Sequence, residues 1–460
     1  YLPYRRLDRT TIAAVAGGGG GTGTRTVAGY DEDSTTMAVE AGRLALRSAP
    51  DGATPRALVF STVTPAYVDK TNATAVHAAL RLDPSVPAVD LGGAVRSSVG
   101  ALRLALDAAG TAGATLLVAA DIRTGRPGSS DEAAGGDAAA ALLVGGENDG
   151  PVLAELVGSA SMTAEFLERW RIPGEARSRQ WEDRFGELQY EPLGRAAWRD
   201  ALDGAGLEAD RIDRVAIAAA HVRAARSVAR GLGVDPSTLA DDLSATVGMT
   251  GAAQPGLLLS SLLEQASPGE LLGLVVLADG ADVFLFRATD AVSSFVPART
   301  VADQCREGGP VPYGTFLRWR AQLVAEGVRR PEPARVSSSA AARNREWKFG
   351  FVASRDEGGV VQMPPPADNR ESRWRWRTVG TIVTSTVDRL AYSPSPPVVF
   401  AVVDFDGGGR LPVELTDVDA VAIEAGETGI GQRVEMTFRC LSSADGIHNY
   451  FWKARPVRAS

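Results

Sequence analysis

This 460-residue chain is poor in cysteine and histidine, with two of the first and three of the second. Two thiols in so long a chain exclude a disulfide framework and predict a reducing, cytoplasmic setting. No apolar run approaches the ~20 residues of a bilayer span, so no membrane segment is expected. No signal-peptide pattern is visible either. Positive charge is in deficit, with a net charge of −8, which argues against an extended nucleic-acid surface. The five glycines Gly17–Gly21 have no strand before them and no Gly-Lys-Ser/Thr after them, so they read as a flexible loop and not as a phosphate cradle.

What is present is a large apolar fraction, 45%, in a chain long enough for two or three domains. Ala57–Thr64 reads as a buried strand and Ala73–Leu80 as a helix. Pro87–Asp90 leads into the turn Leu91-Gly-Gly-Ala-Val-Arg-Ser-Ser98, followed by the apolar helix Val99–Ala109 and the strand Ala114–Asp121. A second half repeats the layout. Arg214–His221 is a strand ending in a histidine, Val222–Gly233 a helix, and Leu271–Gly280 with Ala281–Arg287 a pair of strands. Apolar strands alternating with helices predict parallel sheets covered on both faces. From about Glu346 the pattern changes to five short strands: Thr378–Arg389, Pro397–Asp406, Arg410–Thr416, Arg433–Cys440 and Asn449–Arg458. Gly407-Gly-Gly409 signals a hairpin, and five such strands fit an OB barrel.

The two-half layout, the turn at Val95 and Gly135-Gly-Asp-Ala-Ala-Ala-Ala-Leu-Leu-Val144 resemble the thiolase superfamily. Within it they are similar to the ketoacyl-ACP synthase III and 3-hydroxy-3-methylglutaryl-CoA synthase branches. Trp347-Lys-Phe-Gly-Phe351 and Tyr450-Phe-Trp-Lys-Ala-Arg-Pro456 resemble the OB-fold domains that accompany bacterial thiolases on acyl-CoA. The fold expected is therefore α/β, a duplicated thiolase fold of αβαβα layers followed by a small all-β OB barrel. Residues 1–150 and 151–290 would be the two halves, 291–345 a helical and Pro-rich linker, and 346–460 the barrel domain with the remnant of a zinc ribbon. The resemblance further implies a homodimer, a coenzyme A or acyl-carrier thioester as substrate, no permanently bound cofactor, and a protein partner for the barrel instead of nucleic acid.

The resemblance also shows what has been lost. Similar enzymes place a nucleophilic Cys at the turn, where a helix N-terminus lowers its pKa; here the residue is Val95. Their Asn lies in Gly-Asn-Thr; here Gly248-Met-Thr250 puts Met249 in its place. Their His, at a strand end before an Arg-bearing helix, is matched by His221. A neutral imidazole there can act as general base or donate a hydrogen bond to an enolate oxygen. His77 reads as structural and His448 as solvated. Ser97 and Ser98 either cap the helix or replace the nucleophile. Arg96 is a candidate partner for an acyl carboxylate or a phosphate, and the N–H groups around Val95–Ser97 are a candidate oxyanion hole. Asp279, before Gly280, is a second candidate base or a turn-forming Asp. Of Tyr30, Tyr67, Tyr190 and Tyr313, Tyr67 follows a strand end and is the first choice as a catalytic tyrosine. Ser161–Tyr190, where aromatics alternate with charges, reads as an insertion covering a groove or an interface.

Three functions are open on this reading: an aldol or retro-aldol lyase on a CoA thioester, an acyltransferase or condensing enzyme, and a non-catalytic scaffold that activates a partner. The first is favoured, since the His is kept and the nucleophile is lost. Tetrahedral zinc needs four N or S ligands, and the ribbon region carries Arg355-Asp-Glu-Gly-Gly359 with no Cys. Elemental analysis of protein purified without chelators is therefore expected to find no stoichiometric zinc, and one zinc per chain would overturn this reading.

Overall fold

The computed structural model describes residues 1–324, 326, 329–366, 373–375 and 378–458. Two four-stranded sheets form the body. The first contains β1 (Ala57–Thr62), β2 (Ala88–Gly92), β3 (Thr115–Asp121) and β4 (Ala138–Val144), in the order β2-β1-β3-β4. The second contains β5 (Ala154–Thr163), β6 (Arg214–Ala219), β7 (Leu271–Leu277) and β8 (Gly280–Ala288), in the order β6-β7-β8-β5. In the first sheet β2, β1 and β3 run parallel and β4 antiparallel to β3; in the second β6 and β7 are parallel, while β8 is antiparallel to both β7 and β5. β3 and β7 are buried along their whole length. Their unbroken apolar runs follow from having packed layers on both faces.

Helices fill three layers. α1 (Ser34–Ser48) and α2 (Ala73–Ala79) cover the outer face of the first sheet, through Met37, Val39 and Val76 against Leu58, Phe60 and Val118. The middle layer packs between the sheets. It comprises α3 (Arg96–Ala108) and α6 (Gln254–Gln265), with Val99, Leu102, Leu258 and Leu262 facing Leu117, Leu274 and Phe284. α4 (Asp183–Ala205) and α5 (Val222–Gly231) cover the second sheet, where Tyr190, Trp198 and Val228 meet Val275 and Val283. The result is the five-layered α/β arrangement expected from the strand–helix repeat.

The segment 291–345 is more than a linker. Gly309–Pro310 pairs with Arg5–Arg6, and Tyr313 and Phe316 are buried against Leu7, Ile12 and Val27. Burial of these side chains ties the segment to the first half, a contact that its Pro-rich composition concealed. The last strands are β9 (Val379–Asp388), β10 (Val398–Phe405), β11 (Arg410–Leu415), β12 (Arg433–Ala444) and β13 (Ile447–Pro456). They close into a barrel in the order β9-β10-β11-β13-β12. Gly408 and Gly409, at φ +90° and +81°, turn the hairpin between β10 and β11. This conformation suits glycine because it lacks a Cβ. Ahead of the barrel, Val352–Arg355 pairs with Val361–Gln362 and with Arg373–Arg375. Among the described residues no group of three or more His, Cys, Asp or Glu is placed to hold a metal, and no helix is long and apolar enough to cross a membrane.

The barrel docks on α1 through a buried ionic seam. Arg439 and Lys453, with Arg455 beside them, project from β12 and β13 and have essentially no exposure. Lys453 Nζ lies 3.0 Å from Asp31 and also contacts Glu414. Arg439 meets Glu32 at 3.2 Å and Asp417 at 3.4 Å. Arg455 bridges Glu40 at 3.0 Å and Glu435 at 2.8 Å. Tyr450 donates to Asp33 at 2.5 Å. Burial opposes ionisation of Glu40, but Arg43, Arg455 and Arg439 outweigh it and bring its pKa down to about 2. A carboxyl depressed on folding stabilises the native state above its unfolded pKa, and that contribution fades as pH falls towards the folded value. Glu40→Gln should therefore melt below the wild type above about pH 4.5, and the gap should close between there and about pH 2. Melting temperatures across that range test this, and a gap that does not change with pH would refute it.

Candidate functional site

β6 ends at Ala219, and two residues later His221 stands at the N-terminal cap of α5. Its Nδ1 accepts the Ala224 N–H at 3.0 Å. The proton of the neutral ring therefore sits on Nε2. That nitrogen is buried without a partner, and the residue is 5% exposed. The bare donor points under the insertion Ser161–Tyr190. The backbone there runs through the short pair Arg169–Trp170 with Arg179–Gln180 before α4 begins. Phe166 packs edge-on against Tyr190 at 5.0 Å and against Phe185 at 6.5 Å, and the Tyr190 ring lies 6.2 Å from His221. Gly186 makes the closeness possible. A methyl group on it would lie 2.7 Å from Nε2 and 2.8 Å from the Cγ of Glu168.

Glu168 is the main residue that sequence reasoning missed. It is buried beside His221. Burial pushes its pKa up, opposed by Arg169 and His221. Tyr190 stood among four candidate tyrosines with nothing to select it. Its phenol is pushed up by burial and by Glu168. The only visible signal for either residue was the alternation of aromatics and charges across the insertion.

The structure brings several of the predicted residues to the same end of the sheets. Arg96 donates to Asp279 O at 2.8 Å and pairs with Asp282 at 2.9 Å. The Asp279 N–H donates to the Tyr190 oxygen at 3.3 Å. The turn at Val95, the turn at Asp279 and the His221 pocket are thus linked through direct contacts. Gly280, at φ +133°, is needed here, because a Cβ would meet Met162 O at 2.4 Å and Arg96 Nη1 at 2.7 Å. Asp279 itself has φ +47°, as a turn residue does, and burial pushes its pKa up against the pull of Arg96. Met249 holds its loop to the first half, with its N–H on Ala134 O at 2.8 Å and its carbonyl on Gly136 N–H at 3.0 Å.

Other expectations need revision. Ser97 and Ser98 do not cap α3; their hydroxyls donate to Gly92 O and Val95 O, both at 3.0 Å. The reason is local, since a Ser inside the first turn reaches a preceding carbonyl more readily than the free N–H groups. The Ser97 N–H is taken by Ala94 O and that of Ser98 by Val95 O, so the oxyanion candidates narrow to the N–H groups of Val95 and Arg96. Arg96, offered as a partner for an anionic group, is occupied by Asp282. Tyr67 faces the barrel, its hydroxyl accepting the His448 N–H at 2.9 Å and its ring 5.2 Å from that imidazole. His448 is accordingly half-buried in β13 and not a solvated turn residue. Tyr30 donates to Glu414 and Tyr313 to Glu132. Neither thiol is primed for attack. Burial raises the Cys305 pKa, and burial with Asp33 raises that of Cys440 to about 11. Two cavities of about 790 and 780 Å³ lie elsewhere, one along β4 and one between α2 and the barrel, and His221 lines neither.

Comparison with known proteins agrees with this fold. The family model for the ChsH2 C-terminal OB-fold domain matches residues 377–439. Hydroxymethylglutaryl-CoA synthase of Pyrococcus horikoshii is 29% identical over 334 residues, 70% of this chain and 95% of that protein. The enzyme of the same name from Aeropyrum pernix is 28% identical over 337 residues, 70% of this chain and 93% of that protein. Among solved structures, MvaS in complex with 3-hydroxy-3-methylglutaryl coenzyme A superposes with a TM-score of 0.59 at 18% identity, covering 72% of this chain and 92% of that one. The 3-oxoacyl-(acyl carrier protein) synthase III of Pseudomonas aeruginosa PAO1 superposes with a TM-score of 0.55 at 25% identity, covering 63% and 95%. The body thus has the thiolase-like fold of HMG-CoA synthase and ketoacyl synthase III, fused to a ChsH2-type OB-fold domain.

Proposed function

We propose that this thiolase-like chain forms or breaks a carbon–carbon bond in a coenzyme A or acyl-carrier thioester by aldol or retro-aldol chemistry, without a covalent acyl-enzyme. The observation that carries the reading is the imidazole of His221, whose Nδ1 accepts the Ala224 N–H and whose Nε2 is unpartnered beside Glu168, in a site whose nucleophile turn holds Val95. In the cleavage direction a base takes the proton of a β-hydroxyl group. The Cα–Cβ bond breaks, a carbonyl compound leaves, and the bonding pair becomes the thioester enolate, which then takes a proton at Cα. His221 Nε2–H is a donor for the enolate oxygen, and Glu168 is a carboxyl group suited to carry the proton. The carbon–carbon bond breaks within the substrate and only a proton passes through the protein base, so a thiolate is not required. The relatives named as synthases support carbon–carbon bond formation as the general class.

A homodimer belongs to the same reading. β2 is an edge strand, and an unpaired edge is a ready pairing surface. Val89 on it is 49% exposed, and Leu104 on the neighbouring α3 is 62% exposed. A monomeric mass in solution, with no partner present, would count against this assembly. The barrel is assigned a protein contact and not a nucleic-acid one.

Loss of one donor to a developing oxyanion costs about 10²–10³-fold in turnover. His221→Ala should lower turnover by that factor while thioester binding persists. Intact mass after incubation with a labelled acyl-CoA should show no adduct. A stable adduct on Ser97 or Ser98 would instead favour an acyltransferase. Thioester binding with no reaction sensitive to His221→Ala would leave the scaffold role.

A further inference from the structure

Next to Glu168 in the chain, Arg169 turns the other way. Its Nη2 pairs with Asp131 at 2.8 Å, while Nε and Nη1 are buried with no partner. Its side chain is only 13% exposed. Arg171, two residues on, donates to the carbonyl of Val63. The Val63 N–H in turn donates to Asp121 at 2.8 Å. Arg123 lies two residues beyond Asp121, just after β3. Its backbone is fixed at both ends, with its N–H on Asp137 at 2.8 Å and its carbonyl receiving Arg25 at 2.8 Å. Its side chain passes the loop that carries Met249, since a methyl group on Gly251 would touch Arg123 Cδ at 3.2 Å and Asp121 at 2.2 Å. Among the described residues Arg123 has no side-chain hydrogen bond or ion pair, and Asp131 is the only carboxylate within 4.0 Å of any of the three guanidinium groups. Asp121 is already saturated by the Thr62 hydroxyl and by the N–H groups of Val63 and Ala252.

Partly buried guanidinium groups without counterions cost free energy unless something anionic joins them. Burial and the nearby Arg169 pull the Arg123 pKa down, against Asp121 and Asp131, and among the described residues Asp131 alone forms an ion pair with the cluster. The cluster joins the first sheet, the Met249 loop and the insertion over His221.

We infer that Arg123, Arg169 and Arg171 form an anion subsite for a carboxylate on the acyl part of the substrate, making the preferred thioester that of a dicarboxylic acid. The inference rests on the thioester reading above. An arginine fork matches a carboxylate in a two-point contact. The phosphates of coenzyme A are the alternative source of an oxyanion. They lie at the far end of the pantetheine arm from the thioester, whereas Arg169 is the immediate neighbour of Glu168 at the imidazole. That placement favours the acyl carboxylate.

Isothermal titration calorimetry on the full chain with CoA, butyryl-CoA and succinyl-CoA tests this, since the two acyl groups differ by a terminal carboxylate at equal carbon number. A charge-assisted contact of this kind should make succinyl-CoA bind about 10- to 100-fold tighter than butyryl-CoA. Arg123→Met should bring that ratio towards one, and Arg123→Lys should keep part of it. Arg169→Met should act in the same direction, and melting curves will show whether each variant is folded. Equal wild-type affinities for the two thioesters would overturn the carboxylate subsite and leave the thioester reading standing. A loss on Arg123→Met as large for CoA itself as for succinyl-CoA would assign the cluster to phosphate and overturn the proposal. Failure of the wild type to bind any of the three would end the thioester reading, and the subsite with it.

Discussion

The ionic seam between the barrel and α1 is the constraint on which the rest of the arrangement depends. Arg439, Lys453 and Arg455 are withdrawn from water, each facing carboxylates from the first half or the barrel itself. Removing one partner from such a pair leaves an uncompensated buried charge, at a cost of about 3–5 kcal/mol. Hydrophobic packing alone would tolerate several barrel orientations. Fixed charge pairs tolerate few, because each cation must find its own carboxylates. The seam therefore sets the barrel's position on α1. The Tyr67–His448 contact and the cavity between α2 and the barrel follow from that placement.

The site at His221 is governed by a different constraint, the small volume allowed above the imidazole. Gly186 lets α4 descend until Glu168 and Nε2 lie over the same point. The aromatic side chains Phe166, Phe185 and Tyr190 then close the roof. In such a dry pocket a hydrogen-bond donor or a carboxyl group acts more strongly than in water. The Glu168 pKa is pushed up with burial as the leading cause.

The repeat of strands and helices was legible because buried parallel strands must be apolar throughout. Leu116–Ala120 and Leu271–Leu277 announce themselves in this way. The five barrel strands were legible from turn residues such as Gly407–Gly409. The position of His221, just past the end of β6, was legible from the strand that precedes it. Glu168, Arg123 and Arg169 were not, because a charged residue in a loop carries no periodicity to mark it as buried. Their meaning comes from contacts across 38 residues between Asp131 and Arg169, and more between Arg123 and Gly251. The ends of Tyr67 and Ser97 were misread for a related reason. A side chain near a strand end or a helix start takes whichever partner the tertiary fold presents, His448 in one case and Gly92 in the other.

The replacement at position 95 changes what the rest of the site must do. A covalent acyl-enzyme holds its acyl group in place through a bond. With Val95 at that turn, the acyl group can be positioned only by non-covalent contacts, and much of the rate available from proximity depends on how rigidly they hold it. The insertion over His221 is suited to that task on the function proposed here. Its Glu168 faces the imidazole, its Arg169 faces the arginine cluster, and its aromatic side chains exclude water. On that function, a donor held among these buried side chains stabilises the developing charge of an enolate more strongly than a donor in water would.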